Sequence, residues 1–217
     1  MSTLTNYQRI ADHFSETRRT VWQFVQRFLD NTRSELDPQR TILIEAGCGN
    51  GKNLAYGVSL GFSNHSGYDS CERFVELCQE RGLRVAIGDV RDICILPEYE
   101  NCIILCIAVI HHLREETERI QAVRNLIQMI QGKRGRILIS VWSLEQSKDD
   151  TKQRTFLLGD NLVPWHSKNG EVDSRYYFIY DETHWRNFID EIMKDYPELA
   201  YQIGWERQNW YVEIVSQ

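Results

Sequence analysis

The sequence has no Cys-x-x-Cys pair, no apolar run long enough to cross a bilayer and no excess of basic residues. Its six cysteines, at positions 48, 71, 78, 94, 102 and 106, lack the spacing of zinc ribbons and fingers, so we expect no metal site built by this chain alone. Cys102 and Cys106 lie in an apolar run, and we interpret them as small core residues of a protein in a reducing compartment.

The same absences bear on location and partners. The first 19 residues lack a signal-peptide pattern, so we expect a cytoplasmic protein without membrane association, with the nucleus as a second compatible location. The net charge is −6, from 25 basic and 31 acidic residues, which is not typical of a nucleic-acid binder. Local basic clusters could still form a modest groove for RNA; they are residues 17–19, residues 132–136, and Lys148, Lys152 and Arg154.

What the sequence does contain is a regular alternation of short apolar runs and helix-like segments from residue 41 onward. Continuous runs such as TILI (41–44) and CIILCIAVI (102–110) indicate parallel strands that are buried on both faces. The two strand-like runs within 198–217 are joined tightly and predict an antiparallel hairpin at one side of the sheet. The predicted fold is therefore α/β and doubly wound, with a mainly parallel sheet and helices on both faces.

The 217 residues fit a single domain, which we divide into four segments. Residues 1–39 form an N-terminal helical cap, because apolar spacings of three and four over 7–29 predict an amphipathic helix. Residues 40–145 form a cofactor-binding core. Residues 146–174 are polar and too long for a plain connector, so we interpret them as a lid or insert. Residues 175–217 complete the substrate side and the hairpin.

A glycine-rich stretch, EAGCGNG (45–51), directly follows the first apolar run. Gly47, Gly49 and Gly51 indicate a sharp turn and a close approach to a ligand where the first strand ends. Glu45 would oppose the diphosphate of a dinucleotide but attract the ammonium of a methionyl group. The loop resembles the S-adenosylmethionine loop of class I methyltransferases.

Two further carboxylates follow later strands. Asp69 ends the run HSGYD and could accept both hydroxyls of a ribose, and Asp89 is placed for an adenine amino group. Asp69 alone does not separate S-adenosylmethionine from a nicotinamide dinucleotide, since both carry a ribose. The remaining alternative is that these Gly and Asp residues only form turns and bind no ligand. The predicted cofactor contacts also include Cys48, Ser70, Val90 and Ile107.

Several motifs lie in order along nearly the whole chain: RIADHFSETR (9–18), IAVIHHL (107–113), LVPWH (162–166), RYYFIY (175–180) and NWYV (209–212). Together they resemble the tRNA methyltransferases that esterify 5-carboxymethyluridine at the wobble position of the anticodon. The resemblance implies a Rossmann-like class I methyltransferase with a seven-stranded sheet, S-adenosylmethionine as cofactor and the tRNA anticodon loop as substrate.

The resemblance also implies a site that holds a carboxylate, which is already ionised at neutral pH and needs no strong general base. Arg18 and Arg175 could bind it bidentately, and His111 and His112 could donate hydrogen bonds or orient a loop. Alternatively, the two arginines form surface ion pairs, and the two histidines are structural residues whose ring nitrogens are hydrogen-bonded within the protein. Five residues are candidates for contact with an extruded base: Trp142, Tyr176, Tyr177, Asn209 and Trp210. They could equally be core residues.

Members of the resembled family work with a small zinc-binding activator protein. In the usual strand order the strand at 83–88 would lie at the sheet edge, where a partner can add a strand. A loop of the same chain could cover this edge instead. Two other functions stay open at this point: a small-molecule carboxyl methyltransferase, and a non-catalytic scaffold that binds S-adenosylmethionine.

Overall fold

The structure, a computed structural model, describes residues 3–92, 99–146, 155–166, 170 and 172–216. The helices are α1 (Thr3–Thr17), α2 (Gln23–Glu35), α3 (Lys52–Ser59), α4 (Glu72–Glu80), α5 (Glu116–Gln128) and α6 (Glu182–Met193). The strands are β1 (Thr41–Ala46), β2 (His65–Asp69), β3 (Val85–Ile87), β4 (Asn101–Ile107), β5 (Arg134–Trp142), β6 (Gly159–His166), β7 (Val172–Ile179), β8 (Ala200–Glu206) and β9 (Asn209–Ser216).

Seven strands form one sheet in the order β3-β2-β1-β4-β5-β9-β8. Strands β1 to β5 are parallel to one another, and β9 runs antiparallel to both β5 and β8. The predicted doubly wound sheet and its C-terminal hairpin are therefore confirmed. The strand order reverses between β1 and β4, and in such sheets ligands bind outside the carboxyl ends of the strands at this point.

The central strands are buried on both faces, as their continuous apolar sequences predict. Every residue of β4 after Asn101 is buried, including Cys102 and Cys106, which confirms that these two cysteines are core residues. One face packs against α5 and α6 through residues such as Leu126 and Trp185. The other face packs against α2 and α3 through residues such as Phe28 and Leu54. The sheet is thereby held rigidly between two apolar layers.

The structure corrects the predicted N-terminal helix. Residues 7–29 belong to two helices, because α1 ends at Thr17 and α2 begins at Gln23. The break contains neither Gly nor Pro, so no local signal in the sequence predicts it. In the break the backbone carbonyl of Arg18 accepts a hydrogen bond from Asn50 Nδ2 at 3.0 Å, and this contact joins the cap to the glycine loop.

Two further elements differ from the prediction. Helix α6 was not predicted, although Trp185, Ile189 and Ile192 show helical spacing and are buried. The stretch 146–174, interpreted as a lid or insert, contains β6 and the first residues of β7, which pair as a separate antiparallel hairpin. Residues 147–154, 167–169 and 171 of that stretch lie outside the described residues. Among the helices described, none is long and apolar enough to cross a membrane.

Candidate functional site

A cavity of about 610 Å³ opens at the carboxyl ends of β1, β2 and β4. Nine of the ten predicted cofactor residues line it: Glu45, Gly47, Cys48, Gly49, Asp69, Ser70, Asp89, Val90 and Ile107. All four predicted catalytic residues line it as well, namely Arg18, His111, His112 and Arg175. The fold thus brings residues from the whole length of the chain to one site.

The glycine loop forms the floor of this cavity. Gly47, Gly49 and Gly51 all have left-handed backbone conformations, with φ of 73°, 53° and 72°. A Cβ at Gly47 would lie 2.4 Å from Val109 Cγ2, whereas a Cβ at Gly49 would meet nothing within 4 Å. Gly51 does not line the cavity; it packs against Leu83 and is the N-cap residue of α3. Its role is therefore the turn itself.

Glu45 is a buried carboxylate in the cavity wall, exposed by only 1%. Its Oε1 accepts a hydrogen bond from Asn53 Nδ2 at 2.6 Å, while its Oε2 has no partner among the described residues. Burial raises the pKa of Glu45 to about 8, an effect opposed by Asn53 and the nearby charge of Lys52. A buried acceptor without a donor costs free energy, so this oxygen is suited to a cationic ligand.

Asp69 links β2 to the glycine loop. Its Oδ2 accepts the backbone N–H of Gly49 at 2.8 Å, and its Oδ1 accepts that of Cys71 at 2.9 Å. Burial nevertheless raises the pKa of Asp69 to about 6, although both backbone donors oppose the shift. Each oxygen keeps a second lone pair for a ligand hydroxyl.

Asp89 stands at the end of β3 and is engaged by Arg91, whose Nη2 lies 2.6 Å from Asp89 Oδ2. The same guanidinium donates to Glu118 at 2.6 Å. This pairing, chiefly the hydrogen bond from Arg91, lowers the pKa of Asp89 below its usual value. Asp89 is thus held ionised at the cavity rim.

The two histidines follow β4 in a short helical turn, Ile110–His112. The turn begins after Ala108, which has a left-handed φ of 59°, a conformation that costs free energy for a residue with a Cβ. His111 Nδ1 accepts the backbone N–H of Trp142 at 3.0 Å, so its Nε2 carries the hydrogen of the neutral ring. That Nε2 has no partner within the described part of the chain.

His112 uses both ring nitrogens. Its Nδ1 lies 2.8 Å from the carbonyl oxygen of Tyr176, and its Nε2 lies 3.0 Å from Tyr7 Oη. Burial, aided by the positive charge of Arg175, lowers the pKa of His112 to about 3 and that of His111 well below its usual value. Both rings are therefore neutral at physiological pH.

The hairpin β6–β7 contributes the basic and aromatic wall. Its inward-facing positions alternate along each strand and are buried; they are Val163, Trp165, Asp173, Arg175 and Tyr177. The guanidiniums of Arg18 and Arg175 both lie over the Trp165 ring, with Cζ 4.7 and 5.0 Å from its centroid. Arg175 is only 3% exposed, and no carboxylate of the described chain forms a salt bridge with it.

The predicted aromatic surfaces separate into two groups. Trp142 and Tyr177 line the cavity and stack on each other, with ring centroids 4.3 Å apart and an angle of 19°. Tyr176 does not line it, since neighbouring residues of a strand face opposite sides; its hydroxyl donates to Asp160 at 2.6 Å. Asn209 and Trp210 are also buried away from the cavity, and Trp210 Nε1 donates to Glu145.

Trp165 and Tyr7 are among the residues of the site that were not predicted. Trp165 lies within the quoted LVPWH motif, whose aromatic residue was the available signal. Tyr7 lies on α1, and its hydroxyl reaches His112 and Arg175; no sequence pattern pointed to it. The basic cluster 132–136 includes the start of β5, at the opposite end of this strand from the cavity, and Arg136 pairs there with Glu35. Lys148, Lys152 and Arg154 lie outside the described residues.

The cavity fits S-adenosylmethionine on three counts. The unpartnered Glu45 oxygen suits an ammonium, the open left-handed Gly49 allows close approach, and Asp69 can accept ribose hydroxyls. Within the described ranges, no group of three or more His, Cys, Asp or Glu side chains could hold a metal ion.

Comparisons with known proteins agree with this geometry. A family model described as "Methyltransferase domain" matches residues 44–138. A tRNA (carboxymethyluridine(34)-5-O)-methyltransferase of Arabidopsis thaliana is 34% identical over 149 residues, which cover 69% of this chain and 34% of the relative. A protein of the same name from Schizosaccharomyces pombe is 28% identical over 228 residues, covering 95% of this chain and 92% of the relative.

A third relative, from Xenopus tropicalis, is 35% identical, but the match covers only 22% of its length. The chain thus spans about a third or less of two of these relatives and nearly all of the yeast protein. Among solved structures, the CcbJ methyltransferase from Streptomyces caelestis has a TM-score of 0.69 at 11% identity, covering 100% of this chain and 99% of its own. The DhpI-SAM-HEP complex has a TM-score of 0.66 at 11% identity, covering 97% and 94%. These structural likenesses show the class I methyltransferase fold.

Proposed function

This chain belongs to the class I S-adenosylmethionine-dependent methyltransferases, and on that premise we propose that it esterifies the carboxymethyl group of 5-carboxymethyluridine at the wobble position of tRNA. The observation that carries the proposal is the Arg175 guanidinium, which is 3% exposed in the cavity wall and lacks a carboxylate partner in the described chain. A buried charge without a counter-ion is costly, and an anionic acceptor would supply the counter-ion.

The cofactor half of the site is formed by the glycine loop and the strand ends. Glu45 would hold the ammonium and Asp69 the ribose hydroxyls, while Gly47 and Gly49 allow the backbone to approach. When bound, S-adenosylmethionine supplies a methyl group on a positively charged sulfur. Asp69 also holds the loop in place through Gly49, so the loop is already shaped for the ligand.

The acceptor half is formed by Arg175, Arg18 and His111. The carboxylate is an anion at neutral pH, so these residues need to orient it rather than remove a proton from it. Trp165 contacts both guanidiniums, and His111 Nε2–H can add a neutral donor. Because both histidines are neutral, they add no further charge that would bind the acid too tightly.

The stacked pair Trp142 and Tyr177 gives the acceptor half an aromatic wall. An extruded uridine could stack there, and such contacts are worth roughly 1–3 kcal/mol per base. The aromatic lining also reduces the access of water to the carboxylate. A dry site strengthens the attraction between the acid and the guanidiniums.

The test is transfer of a labelled methyl group from the cofactor to total tRNA, compared with tRNA that lacks the carboxymethyl group. We expect label only in total tRNA and not in tRNA that lacks the carboxymethyl group. We expect Arg175→Gln to reduce the rate of transfer about 100-fold, which is the scale of losing a positioned hydrogen-bond donor to a reacting oxygen. Arg186→Gln, which alters an exposed arginine on α6, is the matched control. Label in a small acid would instead indicate a small-molecule carboxyl methyltransferase, and no transfer at all would indicate a scaffold.

We also propose that a small zinc-binding activator adds a strand to β3. Strand β3 is at the edge of the sheet, and Ile87 is 62% exposed there. The N–H of Gly67 donates to the carbonyl oxygen of Arg84, and the N–H of Gly88 donates to that of Asp69, so the backbone groups of residues 84 and 88 face β2. Because successive residues of a strand alternate in direction, the N–H groups of Val85 and Ile87 face outward. A partner strand could accept these donors. We propose the cytoplasm, and also the nucleus, as the place of action.

A further inference from the structure

The hydroxyl of Tyr7 lies between two groups of the acceptor site. It is 3.0 Å from His112 Nε2 and accepts a hydrogen bond from Arg175 Nη1 at 3.3 Å. A third group, Tyr177 Oη, lies 3.4 Å away. Tyr7 is 105 residues before His112 and 168 before Arg175, so only the docking of α1 creates this cluster.

The direction of each hydrogen bond follows from the donors present. A carbonyl oxygen only accepts, so His112 Nδ1, at 2.8 Å from Tyr176 O, must carry the hydrogen. In a neutral ring Nε2 is then an acceptor, and Tyr7 O–H donates to it. The lone pairs of the same oxygen accept from Arg175. Tyr7 therefore connects the guanidinium to an imidazole whose other nitrogen is fixed to the backbone.

This arrangement restrains the Nη1 end of the Arg175 guanidinium, and the Tyr177 side chain is a further hydrogen-bond partner of Arg175. Arg175 Nε has no partner among the residues that the structure describes. The guanidinium also contacts the faces of Trp165 and Tyr177, with Cζ 5.0 and 5.2 Å from their ring centroids. Ring contacts limit its tilt but not its rotation in the plane, whereas a hydrogen bond at Nη1 limits the rotation.

Helix α1 is anchored on both sides of the cavity. Arg9 pairs with the buried Asp173 of β7 at 3.0 Å. At the other end of the helix, Arg81 donates to Ser15 Oγ and to Asn50 O, both at 2.8 Å. Asn50 belongs to the glycine loop and lines the cavity. The position of Tyr7 is thus fixed relative to both halves of the site.

We propose that Tyr7 is a positioning residue of the acceptor site, whose hydroxyl orients the Arg175 guanidinium toward the carboxylate by tying it to His112. The proposal rests on the proposed function for the nature of the acceptor. It does not require Tyr7 to touch the substrate. The alternative is that Tyr7 serves only as a packing residue, since its ring contacts Phe14 and Phe74 with centroids 6.1 and 6.0 Å away.

Tyr7→Phe separates these two roles, because it keeps the ring and removes only the oxygen. Tyr56→Phe is the matched control: it removes a hydroxyl that donates to Asp30 at 2.9 Å on the surface. We expect Tyr7→Phe to lower kcat/KM for tRNA by roughly 10–100-fold, the scale of a hydrogen bond to a charged group. Cofactor affinity by calorimetry should stay within about twofold, as should the kinetics of the control.

A double-mutant cycle tests whether the effect passes through Arg175. When Arg175→Gln is already present, adding Tyr7→Phe should lower kcat/KM by less than about twofold, because the guanidinium that Tyr7 orients has been removed. Full additivity of the two losses, or a Tyr7→Phe rate equal to that of the wild type, would overturn the proposal.

A second measurement does not depend on the substrate. Side-chain ¹⁵N NMR should show that Tyr7→Phe shifts the signals of His112 Nε2 and of the Arg175 guanidinium, while Tyr56→Phe leaves both unchanged. If neither signal moves, the proposed link does not exist. If the wild type labels no tRNA, the proposed function fails, and the NMR result still decides whether Tyr7 orients Arg175.

Discussion

Replacing Glu45 with glutamine should stabilise the cofactor-free protein at alkaline pH while weakening cofactor binding. Burial raises the pKa of Glu45 from 4.5 to about 8. Between these values the folded protein keeps a proton that the unfolded chain has lost. The stabilising contribution of this proton is complete below pH 4.5 and is lost as the pH rises to about 8.

The size of the effect follows from the width of this pH window. A shift of one pKa unit corresponds to about 1.4 kcal/mol. Across the window the free energy of unfolding of the wild type should therefore fall by about 4–5 kcal/mol relative to that of a variant without a titratable group at position 45. Glutamine keeps the acceptor oxygen for Asn53 and has nearly the volume of the protonated acid. We therefore expect similar stability of the two proteins near pH 5 and a variant that is more stable by a few kcal/mol at pH 8.

The assay is urea unfolding of the cofactor-free protein at several pH values from 5 to 8.5. Asp69, with its pKa raised to about 6, also titrates in this range, so the informative quantity is the difference between the wild type and Glu45→Gln. Glu198→Gln, which alters an exposed glutamate after α6, is the control variant measured alongside. Parallel stability curves for the wild type and Glu45→Gln would refute the reasoning.

A binding measurement completes this prediction. Glu45→Gln should weaken cofactor binding by roughly tenfold or more, because the ammonium loses a charged acceptor. Higher stability combined with weaker binding would distinguish a functional carboxylate from a structural one. Unchanged affinity would remove Glu45 from the cofactor site.

Three further outcomes are expected. Asp69→Asn should weaken cofactor binding by about 10–100-fold in calorimetry, since it removes a charge that accepts ribose hydroxyls, and unchanged affinity would contradict the assignment. Arg18→Ala should reduce methyl transfer to tRNA at least about tenfold with nearly unchanged cofactor affinity, and a wild-type rate would make Arg18 a surface residue. Val85→Pro should prevent co-purification with the activator while cofactor binding persists, because proline removes an outward-facing donor of β3; retained complex formation would locate the partner elsewhere.

The sequence alone determined the elements whose signals are local. Continuous apolar runs identified the parallel strands, because a strand covered on both faces must be apolar at every position. The glycine loop and the carboxylates at positions 45, 69 and 89 could also be predicted. Glycine is favoured where φ is positive, and the ends of parallel strands meet at one edge of the sheet.

Only the tertiary structure decided how the acceptor half is assembled. The motif RYY does not reveal that Arg175 and Tyr177 face the cavity while Tyr176 faces away, because the face that a strand buries depends on what packs against it. Asn209 and Trp210 were predicted as substrate contacts and lie in the interior, since β9 pairs with β5 within the sheet. Tyr7 reaches Arg175 across 168 residues through the docking of α1, and a contact between such distant parts of the chain leaves no local pattern.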